Sequence, residues 1–214
     1  MGTGTDDLDD FVERMAFTAE LRDGTPVRVR PIAPKDRDRL AEGWERFSER
    51  SRYLRFLQRR PSLSESELRY LTEIDYSDHF AWGAEALEGD RPALGIARYI
   101  RVADEPTVAE AAVAVVDEYQ GRGLGGILLQ ALGRAAASNG IERFRAYVSV
   151  QNTVVIDQLT KLGAVAGQAE AGTVTLELPL PEQPWPSSRL YASLRTMAEL
   201  RDEAEADDEP EDGP

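Results

Sequence analysis

The sequence predicts one α/β domain, built on a central sheet that contains antiparallel hairpins, with helices flanking it. Three observations carry this. A buried strand, a glycine-dense turn and an amphipathic helix follow one another from Val113 to Leu132. Phe144, Ala146, Val148 and Val150 alternate with Arg145, Tyr147 and Ser149, the period of a half-buried strand. Several strands also sit in pairs across short turn-forming stretches, which are hairpins and therefore antiparallel. At 214 residues the chain fills one good-sized core and needs no second domain.

Taken in order, residues 1–14 are polar and acidic and read as a flexible arm. The domain itself spans 15–181. Met15 to Leu21 is a short strand, the Asp23, Gly24 pair is a hairpin turn, and Val27, Val29 and Pro31 alternate with Arg28 and Arg30. Pro34 suits the first turn of a helix running to Phe47, with Leu40, Trp44 and Phe47 on one side. The run from Arg50 to Arg60 is the one concentrated basic stretch. It reads either as a helix burying Tyr53, Leu54 and Leu57 with its arginines solvated, or as an arginine wall of a binding site. Ser64 and Glu67 form a capping-box pattern ahead of Leu68 and Leu71, so a helix over 65–73 is expected.

Phe80 to Leu87 and Leu94 to Val102 then form a hairpin across Glu88–Pro92, and Val108 to Asp117 is the pivotal strand. The helix after the glycine turn shows Leu124, Ile127, Leu128, Ala131, Leu132 and Ala135 on one face and closes at Asn139, Gly140. Asn152 to Leu162 is a second helix, stopped by Gly163. Val165 to Gln168 and Val174 to Leu180 form a last hairpin. Residues 182–201 are expected to form a C-terminal helical extension, and 202–214, almost all acidic, a disordered tail.

Composition excludes several classes of function. A formal charge of -14 offers nucleic acid no general attraction. No apolar run is long enough for a membrane span, and the first residues lack the basic region of a signal peptide, so a cytoplasmic protein is expected. With no cysteine and one histidine, His79, there is no thiolate nucleophile, and no metal site is expected.

Glycines 121, 123, 125 and 126 leave backbone N–H groups uncovered at a helix start, which together with the helix dipole favours a diphosphate. Four glycines in six residues cost more backbone entropy than a plain turn requires. A P-loop needs Gly-Lys-[Ser/Thr], and here Ile127 follows Gly126. The dinucleotide fingerprint is met by Gly121, Gly123 and Gly126. The next strand, however, ends at Ser149, Val150, Gln151 and Asn152 without the carboxylate that holds a ribose.

The segment Gln120–Gly125 (QGRGLG) matches in full the Q/R-x-x-G-x-G/A motif of the GNAT N-acetyltransferase superfamily, and the resemblance runs from about Val27 to Leu180. It includes the Val113, Ala114, Val115 strand, Asn152 at the next helix start, and Lys161–Ala164 (KLGA) near a K-x-G-F pattern. Ser51–Phe56, Leu71–Asp75 and Gly95–Tyr99 are similar to bacterial protein-lysine acetyltransferases of the Pat type.

This resemblance implies acetyl-CoA as co-substrate. Val113, Ala114 and Val115 would pair with the pantetheine arm, and the N–H of Val115 or its neighbour would polarise the thioester. Gln120, Gly121, Arg122, Gly123, Leu124, Gly125 and Gly126 would hold the pyrophosphate, and Asn152 would touch the CoA arm or cap its helix. It also implies the GNAT acyl-CoA N-acyltransferase fold, an α/β fold with a mixed, mostly antiparallel central sheet that is flanked by helices and splays beyond the pivotal strand.

Glu110 shares a strand face with Ala112, Ala114 and Val116, and a carboxylate sheltered among small apolar neighbours suits a general base. The resemblance implies a tyrosine acid in the helix that begins at Asn152, but Ile156–Thr160 holds none; either water protonates the thiolate or no acid is needed, with Tyr147 and Tyr119 as further candidates. His79, entering a strand, reads as structural or as a wall on the acceptor side. The expected activity is N-acetyl transfer to a primary amine by direct attack. Protein lysine side chains, such as those of an acyl-CoA synthetase, lead as acceptors. A small amine or a non-catalytic acyl-CoA-binding regulator are the alternatives.

Overall fold

Among the described residues eight strands form, and all of them join one sheet. The computed structural model describes residues 3–58, 61–87 and 89–181. The expected extension over 182–201 and tail over 202–214 lie outside them. The strands are β1 (Phe17–Glu20), β2 (Pro26–Pro31), β3 (His79–Ala86), β4 (Ala93–Val102), β5 (Glu105–Val115), β6 (Arg143–Ser149), β7 (Val165–Glu170) and β8 (Thr173–Pro179). Their order is β1-β2-β3-β4-β5-β6-β8-β7, antiparallel throughout except for the parallel β5–β6 pair. The sheet is therefore mixed and mostly antiparallel, as the resemblance implied.

Among the described residues six α-helices flank it: α1 (Thr3–Met15), α2 (Arg37–Glu45), α3 (Glu49–Phe56), α4 (Glu65–Thr72), α5 (Leu124–Ser138) and α6 (Thr153–Lys161). Helix α5 supplies the largest part of the core. Its Leu124, Leu128 and Leu132 are fully buried and cluster with Tyr99, Phe144 and Leu176 of the sheet. Each such side chain contributes about 1.5–3 kcal/mol when removed from water. The capping box before α4 forms as its residue types dictate: Ser64 Oγ accepts from the Glu67 N–H at 3.3 Å, and the Ser64 N–H donates to Glu67 Oε2 at 2.8 Å. Gly140, at φ +75°, closes α5, and the Ile141 N–H returns to the Ala136 carbonyl at 2.9 Å.

Two expectations need correction. Residues 3–14 of the expected flexible arm instead belong to α1. Its Val12 is completely buried and its Phe11 ring meets Tyr76 edge-on at 5.0 Å. Leu8, Phe11, Val12 and Met15 stand at helical spacing, and these few apolar contacts outweigh the acidic composition. In α3, Tyr53 is 41 % exposed rather than buried. The helix turns Arg52 and Arg55 toward the domain instead.

Candidate active site

Strand β5 is paired unevenly, and that unevenness makes the site. Against β4 its pairing runs from Arg101↔Ala109 to Gly95↔Val115. Against β6 it stops after Val108↔Arg143, Ala109↔Phe144 and Glu110↔Arg145. Past Glu110 the two parallel strands part, and among the described residues no strand pairs with that edge of β5.

Backbone alternation decides which groups face the gap. On the β6 side, the Glu142 N–H donates to the Thr107 carbonyl at 2.8 Å; on the β4 side, the Val116 N–H donates to the Leu94 carbonyl at 2.9 Å. Odd-numbered residues therefore direct N–H and C=O toward the gap and even-numbered ones toward β4. Val113 and Val115 present their backbones to the gap, whereas Ala114 turns its backbone to β4. Gln120 Nε2 occupies the Val115 carbonyl at 2.9 Å. What remains is the Val115 N–H and both groups of Val113, the pattern an extended chain needs to add itself as a strand.

The glycine turn continues from that edge. Gly121 and Gly123 hold φ of +75° and +96°, a region where only glycine sits without strain. Gly123 is the N-cap of α5 and no side chain caps it. The N–H groups of Gly121, Arg122, Gly123, Leu124 and Gly125 meet no protein acceptor among the described residues, while those of Gly126 and Ile127 return to the Gly123 carbonyl. Five open donors at a helix N-terminus form an anion cradle. Arg122 stands beside it, 4.8 Å over the Tyr119 ring and 3.4 Å from Asp23.

Arg22 is a further cation at this turn that the sequence did not reveal. Its N–H donates to the Arg122 carbonyl at 2.9 Å, and its Cγ lies 3.2 Å from where a Cβ on Gly123 would stand. An arginine in a hairpin carries no periodic signal, so only the tertiary contact marks it. Gln120 differs from expectation as well. Its side-chain amide is spent inside the protein, on Val115, Ser51 Oγ at 3.2 Å and Asp117 Oδ1 at 3.3 Å. Asn152 begins α6 on the opposite wall of the gap, half-buried, and its side chain does not cap the helix.

Glu110 sits where the strands part, and it is exposed. The shelter expected from Ala112 and Ala114 is not built by this chain. Tyr147 O–H stands 3.4 Å from Glu110 Oε1, its phenol pushed up by partial burial and by the Glu110 charge. Tyr119 instead lies under Arg122.

The other face of β5 opens onto a cavity of about 900 Å³, counting its open mouth, between the sheet and helices α2, α3 and α4. Ala114 and Val116 form part of its wall. Six arginines line it (Arg30, Arg39, Arg52, Arg55, Arg91, Arg98) against two carboxylates, Asp36 and Glu85. Both carboxylates are engaged. Arg30 binds Asp36 with two nitrogens at 2.7 and 2.6 Å, and Glu85 accepts from Arg39 at 2.6 Å and from Arg28 at 3.2 Å. Two arginines of the basic stretch, Arg52 and Arg55, thus line this cavity from α3.

Arg98 lies on the floor, paired in register with Ala112, and is 4 % exposed. Its Nη1 is 2.7 Å from His79 Nε2 and its Nη2 donates to the Leu71 carbonyl at 3.0 Å. A guanidinium only donates, so His79 Nε2 accepts and the ring is neutral, with its proton on Nδ1. Burial, and then the Arg98 charge, pull the His79 pKa down to about 4. Burial, and then the charge of Arg55, bring Arg98 to about 9.

The family model for the "Acetyltransferase (GNAT) family" matches residues 45–164, more than half the chain. The chain belongs to the GNAT acetyltransferase family. Acetyltransferase Pat of Mycolicibacterium smegmatis is 37% identical over 76% of this chain, which spans 48% of Pat. A Pseudomonas aeruginosa acetyltransferase is 34% identical over 72% of the chain and 83% of its own length. Among solved structures, the GNAT domain of S. lividans PAT superposes with a TM-score of 0.72 at 32% identity, covering 78% of this chain and 97% of that one. A cAMP-binding acyltransferase from Mycobacterium smegmatis gives 0.60 at 29%, covering 94% of this chain and 59% of that one. Acetyl-CoA is the acyl donor that this family uses. Among the described residues no helix is long and apolar enough to cross a membrane, and no group of acidic or histidine side chains is placed to hold a metal ion.

Proposed function

We propose that this chain transfers the acetyl group of acetyl-CoA to a primary amine by direct attack in a ternary complex. The observation that carries it is the continuity of three features on β5: a bare edge at Val113 and Val115, an anion cradle at Gly121–Gly125, and a cavity walled by Ala114. Acetyl-CoA supplies an activated thioester carbonyl. The chain supplies the rest. The five open N–H groups and Arg122 hold the diphosphate, Val113 binds the extended arm, and the Val115 N–H donates to the carbonyl oxygen as charge builds on it. Asn152 reaches the arm from the opposite wall.

Glu110 serves as general base. It stands three residues from Val113, roughly 10 Å along an extended strand, so it takes the ammonium proton through ordered water. Tyr147, hydrogen-bonded to Glu110, is the side chain best placed to return a proton to the leaving thiolate. Protein lysine side chains lead as acceptors, on the likeness of the segments around Ser51–Phe56, Leu71–Asp75 and Gly95–Tyr99 to Pat-type enzymes. A small amine is the second reading, and the walled cavity beside Ala114 is what favours it.

The test is CoA release from acetyl-CoA with two panels, proteins including acyl-CoA synthetases and small primary amines, with products located by mass spectrometry. Acetylated lysine supports the leading reading, and turnover on small amines alone supports the second. Tight acetyl-CoA binding with no transfer to either panel contradicts both.

A further inference from the structure

The cavity beside Ala114 is lined by six arginines and two carboxylates, in a chain whose net charge is -14. Its two carboxylates are consumed by Arg30, Arg39 and Arg28. Glu85 lies four residues along β3 from Ala81, the residue opposite Arg98, which is roughly 13 Å.

Arg98 is therefore left without a counter-charge among the described residues. Of the five N–H donors of its guanidinium, two meet His79 Nε2 and the Leu71 carbonyl, neither of which is charged. No carboxylate among the described residues pairs with it, and the charge acting on it most strongly is the like charge of Arg55. A buried guanidinium without a counter-ion is costly, and His79 cannot offset it.

The geometry points to a carboxylate of the acceptor as the missing counter-charge, received by Arg98 at the floor of this cavity. Naming the ligand as the acceptor rests on the acetyl-transfer reading above; the anion site itself does not. The spacing fits. Arg98 lies opposite Ala112, one pleat along from Ala114, so its side chain starts about 7 Å from the wall where the bare edge holds the acyl group. An amine and a carboxylate on one small molecule span that distance, as do a lysine and an acidic residue next to it. The electrostatics fit too. A cation-lined cavity favours the neutral, nucleophilic form of an amine but repels its ammonium form on entry, and an attached carboxylate offsets the repulsion.

Two measurements test this. In the first, CoA release is compared for matched acceptors: γ-aminobutyrate against its amide, and lysine peptides with glutamate or glutamine beside the lysine. At least one acid is expected to exceed its neutral partner by about tenfold or more in kcat/KM, as a charge-assisted bidentate contact implies. The small-molecule and peptide pairs distinguish the two sources of the carboxylate.

In the second, glutarate and glutaramide, which have no amine, are titrated while the melting temperature is followed. Glutarate alone is expected to raise it. Arg98→Gln should abolish both preferences while leaving the acetyl-CoA Kd unchanged. Should Arg98→Gln fail to fold, Arg55→Gln is expected to weaken both preferences and Arg98→Lys to retain part of them. Equal rates for acid and amide in every pair, with no glutarate effect, would overturn the proposal. Glutarate binding without transfer to any amine sustains the anion site and contradicts the acetyl-transfer reading instead.

Discussion

The side-chain amide of Gln120 donates to the main-chain carbonyl of Val115 across 2.9 Å. That bond ties the glycine turn to the bare edge of β5. It also uses up the one Val115 group that would repel a thioester oxygen, leaving only the N–H facing the gap. Gln120→Ala should therefore cost little stability, below about 1 kcal/mol, since the bond is exposed and water replaces it. Acetyl-CoA KM should rise about fivefold, the equivalent of about 1 kcal/mol. Steady-state kinetics beside urea unfolding check this; a change in stability alone contradicts the positioning role.

Gly123→Ala meets two obstacles. Its φ of +96° is costly for any residue with a Cβ, and that Cβ would stand 3.2 Å from Arg22 Cγ. A loss of about 1–2 kcal/mol in stability is expected, with acetyl-CoA affinity falling tenfold or more because the cradle donors shift. Calorimetric titration of acetyl-CoA is the check. Gly126→Ala, where a Cβ meets nothing within 4 Å and φ is not positive, serves as the control and should be far milder.

Glu110→Gln keeps shape and removes the base. Turnover should fall by about 10²–10⁴-fold with acetyl-CoA binding intact. Retention of most activity would remove Glu110 from the mechanism.

His79 makes stability depend on pH. Its folded pKa of about 4 lies below the ordinary value of 6.5, so between those two the unfolded chain binds a proton that the folded chain refuses. At neutral pH and above neither state is charged and nothing is lost. As pH falls from about 6.5 to about 4, the folded state should lose about 2–3 kcal/mol from this group. Urea unfolding at pH 7 and pH 4.5 should show a steeper loss for the parent chain than for His79→Gln. Identical losses would mean the ring is not held neutral.

The sheet was legible because its signals are local. Asp23 and Gly24 turn the first hairpin, Ser64 and Glu67 cap α4, and Gly121 and Gly123 supply positive φ before α5. What stayed hidden depends on distant packing. Nothing in Phe144–Val150 says that β6 leaves β5 after Arg145, yet that departure makes the edge. Arg98 looks like any polar residue alternating through β4 until α3 and α4 cover it, and Glu110 is exposed because the strands part beside it. The helical spacing of Leu8, Phe11, Val12 and Met15 was present in the sequence, but the acidic residues around it masked α1.

The most direct measurement is the effect of acetyl-CoA on the backbone amides of the isotopically labelled chain. Acetyl-CoA is expected to shift, and to protect from hydrogen exchange, the amides of Val113 and Val115 together with those of Gly121 to Gly125, while Ala114, bonded to β4, changes least. Saturable binding that leaves Val113, Val115 and the glycine turn unperturbed would contradict the assignment of this edge as the acyl-donor site.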